Sequence, residues 1–166
     1  MKLSITSLLM LCLISCNAQF TKNAGALPEK FTVVKAKLGS GKAAVGSFNM
    51  AYKNYSLKES YPWCLKINMA LDLKNVTENG LPVKAESDIA NKYEDYLINN
   101  IRKLSTTLYV GHLYNDSFLD IYIYLDEPEK VNEFLKAEVG KKDVTRQFAY
   151  EIKEDANWET VADFLM

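Results

Sequence analysis

The sequence predicts an α+β domain built on an antiparallel sheet, and three patterns predict it. Residues 63–72 alternate apolar and polar side chains with period two, the mark of a strand with one buried face. Residues 85–104 switch to helical spacing. Two strand-like runs round a tight turn follow, then a second amphipathic helix and a last strand. From Trp63 to Lys153 the order is β-α-β-β-α-β, the ferredoxin-like split βαβ arrangement, in which a four-stranded antiparallel sheet carries two helices on one face. An N-terminal β-hairpin precedes it and is expected either to extend the sheet or to cover its other face.

The hairpin (residues 31–53) comes from the β-prone runs Phe31–Leu38 and Ala44–Tyr52 on either side of Gly39-Ser40-Gly41-Lys42. That turn is not a phosphate loop. Ala36 stands where the first glycine is needed and Ala43 where a metal-binding hydroxyl belongs. The core (63–153) opens with a strand whose Trp63, Leu65, Ile67, Met69 and Leu71 face one way, and Asn79-Gly80-Leu81-Pro82 breaks the chain after it. In the long helix Ile89, Tyr93, Leu97, Ile101 and Leu104 form the apolar stripe, which leaves Lys92, Glu94, Asp95, Arg102 and Lys103 solvated.

Thr106–Asn115 and Ser117–Leu125 are the next strands, joined through Asn115-Asp116-Ser117. In the second, Leu119, Ile121, Ile123 and Leu125 share a face, and Phe118, Asp120, Tyr122 and Tyr124 share the other. The second helix is expected to start with Asp126 as its cap, Pro128 in the first turn and Glu129 three residues on from the cap. Val131, Phe134 and Leu135 form its apolar side, and Gly140 ends it. Arg146–Lys153 is the last strand, and Trp158–Leu165 within residues 154–166 forms a short closing helix.

The N-terminus carries an address. Lys2 precedes an apolar run of about 12 residues without acids, the layout of a secretory signal and too short to span a bilayer as a helix. Leu13-Ile14-Ser15-Cys16 at its end resembles the lipobox of bacterial lipoproteins. That resemblance implies removal of residues 1–15, acylation of Cys16, and a lipidated tether over residues 16–30 placed outside the cytoplasm in the cell envelope. One acyl chain binds a membrane marginally, whereas two or three on one residue hold it. Cleavage before Gln19 is the alternative, and gives a soluble secreted periplasmic protein. With Cys12 leaving in the signal and Cys16 acylated, Cys64 stands alone, without an intramolecular disulfide, and reads as a buried strand residue.

Residues 16–166 are the size of one ordinary domain, and 48% apolar residues supply its core. The net charge is −1, and loss of Lys2 makes it one unit more negative, so nucleic acid is not an expected partner. His112 is the only histidine, which excludes a multi-histidine metal site, and no cofactor is expected. Strand alternation groups His112 with Leu108, Val110 and Tyr114 as a structural residue. There is no Gly-x-Ser-x-Gly elbow, and nothing ties Cys64 to His112.

From Tyr55 to the C-terminus, a series of short motifs in order resembles the bacterial family known as domain of unknown function 695. They are Tyr61-Pro62-Trp63, Asn79-Gly80-Leu81-Pro82, Glu94-Asp95-Tyr96-Leu97, Val110-Gly111, Ile121-Tyr122-Ile123-Tyr124, and the ending with Asp155, Trp158, Phe164 and Leu165. Members often end with proline after the final leucine; this chain ends with Met166. The family has no established activity for the resemblance to imply. It is also distantly similar to bacterial regulators of ribonuclease E, a role closed to an exported chain.

The expected function is therefore non-catalytic binding. A sheet face turned away from the helices would display Lys66, Asn68, Asp120, Tyr122, Tyr124, Gln147 and Glu151, tyrosines beside hydrogen-bonding groups, for an envelope protein, peptide or glycan. The alternatives are that the hairpin covers this face, or that the protein is an envelope hydrolase or other enzyme with a site around His112.

Overall fold

The computed structural model describes Leu27, residues 29–37 and residues 39–166. The expected signal, Cys16 and nearly all of the expected tether lie outside these residues. The sheet has six strands: β1 (Phe31–Lys37), β2 (Ala43–Asn49), β3 (Trp63–Ala70), β4 (Thr107–Asn115), β5 (Phe118–Leu125) and β6 (Phe148–Glu154). The helices are α1 (Lys84–Ile101) and α2 (Glu129–Val139), and a 3₁₀ segment over Glu159–Phe164 closes the chain. Among the described residues no helix is long and apolar enough to cross a membrane.

All pairings are antiparallel, in the order β1-β2-β4-β5-β3-β6. The sheet thus differs from the four strands expected because the hairpin joins edge-on, with β2 bonded to β4, and of the two places open to it the hairpin extends the sheet. Two glycines let β2 and β4 close up. A Cβ on Gly46 would lie 2.2 Å from the His112 carbonyl oxygen, and one on Gly111 would lie 2.3 Å from that of Ser47. The β4–β5 turn is tight because Asp116 and Ser117 adopt positive φ of 41° and 70°, the conformation that matches strand twist in a two-residue loop.

Period two in β3 and β5 divides two cores. Leu65, Ile67, Met69, Leu119, Ile121 and Ile123 pack under both helices, against Leu97, Ile101, Val131 and Leu135. On the other face Cys64, Tyr122 and Tyr124 join Phe48, Trp158 and Leu165. A buried ion pair ties α1 to the entry of β6: Arg146 donates from Nε and a terminal nitrogen to Glu86, at 2.7 and 2.6 Å, and Glu86 is 0% exposed.

Two local expectations are corrected. Asp126 does not cap α2, which starts after Pro128 without a side-chain cap. Its carboxylate instead accepts from the Ser105 hydroxyl and the Thr106 and Glu127 amides, at 2.7, 3.0 and 2.8 Å, and so fastens the entry of β4 to the exit of β5. In α1 the buried positions are Glu86, Ala90, Tyr93, Glu94, Leu97, Ile98 and Ile101, while Ile89 is 39% exposed. The expected Tyr93, Leu97 and Ile101 are in the core, so only the N-terminal end of the stripe is displaced, where Ala90 takes the buried position next to Ile89 and Glu86 lies one turn before it.

Candidate functional site

The expected binding face is only partly a surface. Tyr122 and Tyr124 are 5% and 0% exposed, so both belong to the core. The cover is the closing segment. The Trp158 ring stacks on Tyr124 with centroids 3.9 Å apart, and Phe164 lies 5.5 Å from Tyr122. Polar ends are matched beneath it: Tyr124 donates to Asp155 at 2.6 Å, and Trp158 Nε1 donates to the Tyr61 carbonyl. Apolar side chains at 158, 161, 164 and 165 must find an apolar face, and this was the one the helices left.

The polar members are engaged with each other. Asp120, 6% exposed, accepts from Asn68 at 2.6 Å and from Asn115 at 3.1 Å, with Lys66 Nζ at 3.1 Å. Gln147 and Glu151 are exposed at the β6 edge. Cys64 is buried on this same side, where burial pushes its thiol pKa up. The sheet separates it from His112.

A different constellation forms where α1 crosses β4. Glu94, expected on the solvated side of the helix, has a side chain only 5% exposed and sits within reach of His112. The His112 Nδ1 lies 2.9 and 3.1 Å from the two Glu94 oxygens, and the Tyr109 hydroxyl donates to Glu94 Oε1 at 2.7 Å. Tyr109 and His112 are three residues apart, which in a regular strand would put them on opposite faces. A bulge between Tyr109 and Gly111 restores them to the same face. The expected grouping of His112 with Leu108 and Val110 fails for this reason: both pack in the opposite core, and Tyr109 takes their place beside His112.

The chemistry follows from the donors. An ionised carboxylate only accepts hydrogen bonds, so with Glu94 ionised the facing Nδ1 is the nitrogen that donates, and a neutral ring held in this way keeps Nε2 as its acceptor. Burial, and next the Glu94 charge, hold the Tyr109 hydroxyl protonated well above the ordinary tyrosine range, which keeps it a donor. The His112 side chain remains 18% exposed, at the floor of a cavity of ≈ 390 Å³. Asn91, Asp95 and Asn99 of α1, with Arg102 at its C-cap, form one wall, and Glu29 and Phe31 the other. The Phe31 ring is 41% exposed and 5.9 Å from that of Tyr109. Glu94 was expected in solvent, although its place four residues beyond Ala90 and three before Leu97 carried the signal for the core; the bulge that brings Tyr109 had no signal beyond Val110-Gly111.

No curated protein and no solved structure matches the chain. Residues 32–166 match the profile of a family described as of unknown function, DUF695, so the match takes in the hairpin as well as the region from Tyr55 onward. The chain belongs to that family.

Proposed function

We propose that this is an exported protein, anchored by acyl chains on Cys16 to a membrane of the bacterial cell envelope, whose domain binds a small polar ligand in the His112 cleft without transforming it. Leu13-Ile14-Ser15-Cys16 at the end of an apolar run supports the anchor. We read β4-β5-β3-β6 with its helices as a ferredoxin-like split βαβ unit to which the hairpin adds a shelf beside α1. The observation that carries the binding function is the pairing of His112: a carboxylate buried in the core holds Nδ1, Nε2 has no partner among the described residues, and the partly exposed ring lines the cleft. The sheet face is the weaker site, because Lys66 and Asn68 already direct their donors to Asp120.

Two measurements test this. Palmitate labelling of intact cells should mark the wild type and not Cys16→Ser; label retained by the variant removes the anchor. Native mass spectrometry of the lipidated protein after exposure to envelope extract should show a small-molecule adduct absent from His112→Ala. Identical spectra from the two proteins would sink the binding role.

A second function draws on the same pair. Glu94 and His112 in this order resemble a general base with its orienting carboxylate, Nε2 taking a proton from water or a hydroxyl. Turnover of activated esters or glycosides that is lost in His112→Ala would favour this enzyme over the binding domain.

A further inference from the structure

The cleft's lining describes its ligand. Asn91, Asp95 and Asn99 along α1, continued by Arg102 at its C-cap, form a single stripe about 16 Å long. Asn91 accepts a hydrogen bond from Tyr114, but among the described residues the side chains of Asp95, Asn99 and Arg102 have no hydrogen-bond or ion-pair partner. Glu29 lines the cleft with them, and so does the His112 ring, whose Nε2 has no partner among the described residues. Acceptors and donors are therefore interleaved, and the charges are of both signs.

That mixture discriminates between ligand classes. A polyanion would be repelled by Asp95, Glu29 and the Glu94 beneath, and a ligand cationic throughout would leave the unpaired Arg102 guanidinium without an acceptor. Groups that both donate and accept suit every position, and hydroxyls have that property. The exposed Phe31 ring adds a flat apolar wall, which suits the C–H face of a sugar ring. A volume of ≈ 390 Å³ lies within the usual range for ligand pockets, and the stripe is long enough for more than one ring.

We propose, building on the binding function above, that the cleft takes a saccharide. A pyranose lies on Phe31, its hydroxyls bridge Asp95 and Arg102, and one hydroxyl donates to His112 Nε2. The amides of Asn91 and Asn99 serve a neighbouring ring or an acetamido group.

The test uses the lipidated protein in a detergent without a sugar headgroup, with maltose, cellobiose and N,N′-diacetylchitobiose as probes. Saturation-transfer nuclear magnetic resonance should show at least one of them bound, with the strongest transfer to its C–H protons. Phe31→Ala and Arg102→Ala should each weaken that binding by about tenfold, the loss of one good contact, while the circular dichroism spectrum stays that of the wild type. No transfer to any of the three, or equal binding by wild type and Phe31→Ala, overturns the saccharide. Glycylglycine and putrescine separate the two levels of the argument. If either shifts the His112 imidazole resonances where the sugars do not, the saccharide is wrong and the binding site stands. If none of the five probes shifts them, both fail.

Discussion

Replacing Arg146 by alanine should destabilise the domain by about 3 kcal/mol near neutral pH, and by less in acid. Glu86 is 0% exposed and accepts three hydrogen bonds: two from the Arg146 guanidinium at 2.7 and 2.6 Å, and one from the Asp72 amide at 3.0 Å. The variant loses the two charge-assisted bonds, each of about 1.5–3 kcal/mol, and leaves a carboxylate in the core. Breaking a buried pair costs roughly 3–5 kcal/mol. The lower end applies here for two reasons. The Arg146 side chain is 18% exposed, and Glu86 lies in the first turn of α1, where the helix dipole favours an anion.

The pH dependence has a definite sign. In the wild type the Arg146 hydrogen bonds outweigh burial and hold the Glu86 carboxyl below the usual carboxylate range. A depressed pKa contributes stability above the unfolded value of about 4.3, and that contribution is lost as pH falls through the folded value. Without Arg146 burial dominates, and the variant folds better with Glu86 protonated. The gap between the two proteins should therefore narrow from about pH 7 to about pH 4. Urea unfolding followed by Trp63 and Trp158 fluorescence measures it, and Arg146→Lys, which keeps the charge without the fork, should fall between. A gap below about 1 kcal/mol at neutral pH, the size of an exposed ion pair, would refute the reasoning; so would one of equal size at both pH values.

Other consequences can be checked directly. Gly111→Ala would place a Cβ 2.3 Å from the Ser47 carbonyl oxygen and 2.8 Å from Phe48 Cα, and should cost at least about 2 kcal/mol by prying β2 from β4; an unchanged melting temperature contradicts this. In Glu94→Gln the amide no longer imposes a proton on the facing nitrogen of His112. Long-range ¹H–¹⁵N spectra should show the Nδ1–H tautomer in the wild type and a mixture in the variant, and identical spectra would disprove the orienting role. Cys64, buried and with its thiol pKa raised, should resist iodoacetamide in the folded protein and react once urea unfolds it; full labelling of the native state would show the site to be open.

Much of the fold was legible because period two and period 3.6 are local properties. The alternation at Trp63–Leu71 placed β3, and the two faces of β5 came out as two different cores. Asp116-Ser117 marked its turn by residue type, and both residues adopt the positive φ such a turn requires. The candidate site was not legible in the same way. Glu94 was assigned to solvent because a carboxylate near a stripe edge is usually solvated. The bulge that aligns Tyr109 with His112 depends on how β4 meets its neighbours, and Tyr124 became a core residue only when Trp158, more than thirty positions later, stacked on it.

The sequence by itself determined which segments are strands and helices, where they turn, and, through the apolar run ending at Cys16, the expected address. Only the tertiary structure decided which polar residues enter the core. A buried carboxylate is stabilised by donors that approach from elsewhere in the chain, such as His112 for Glu94 and Arg146 for Glu86. Those partners lie 18 and 60 residues away, far beyond the reach of any periodicity.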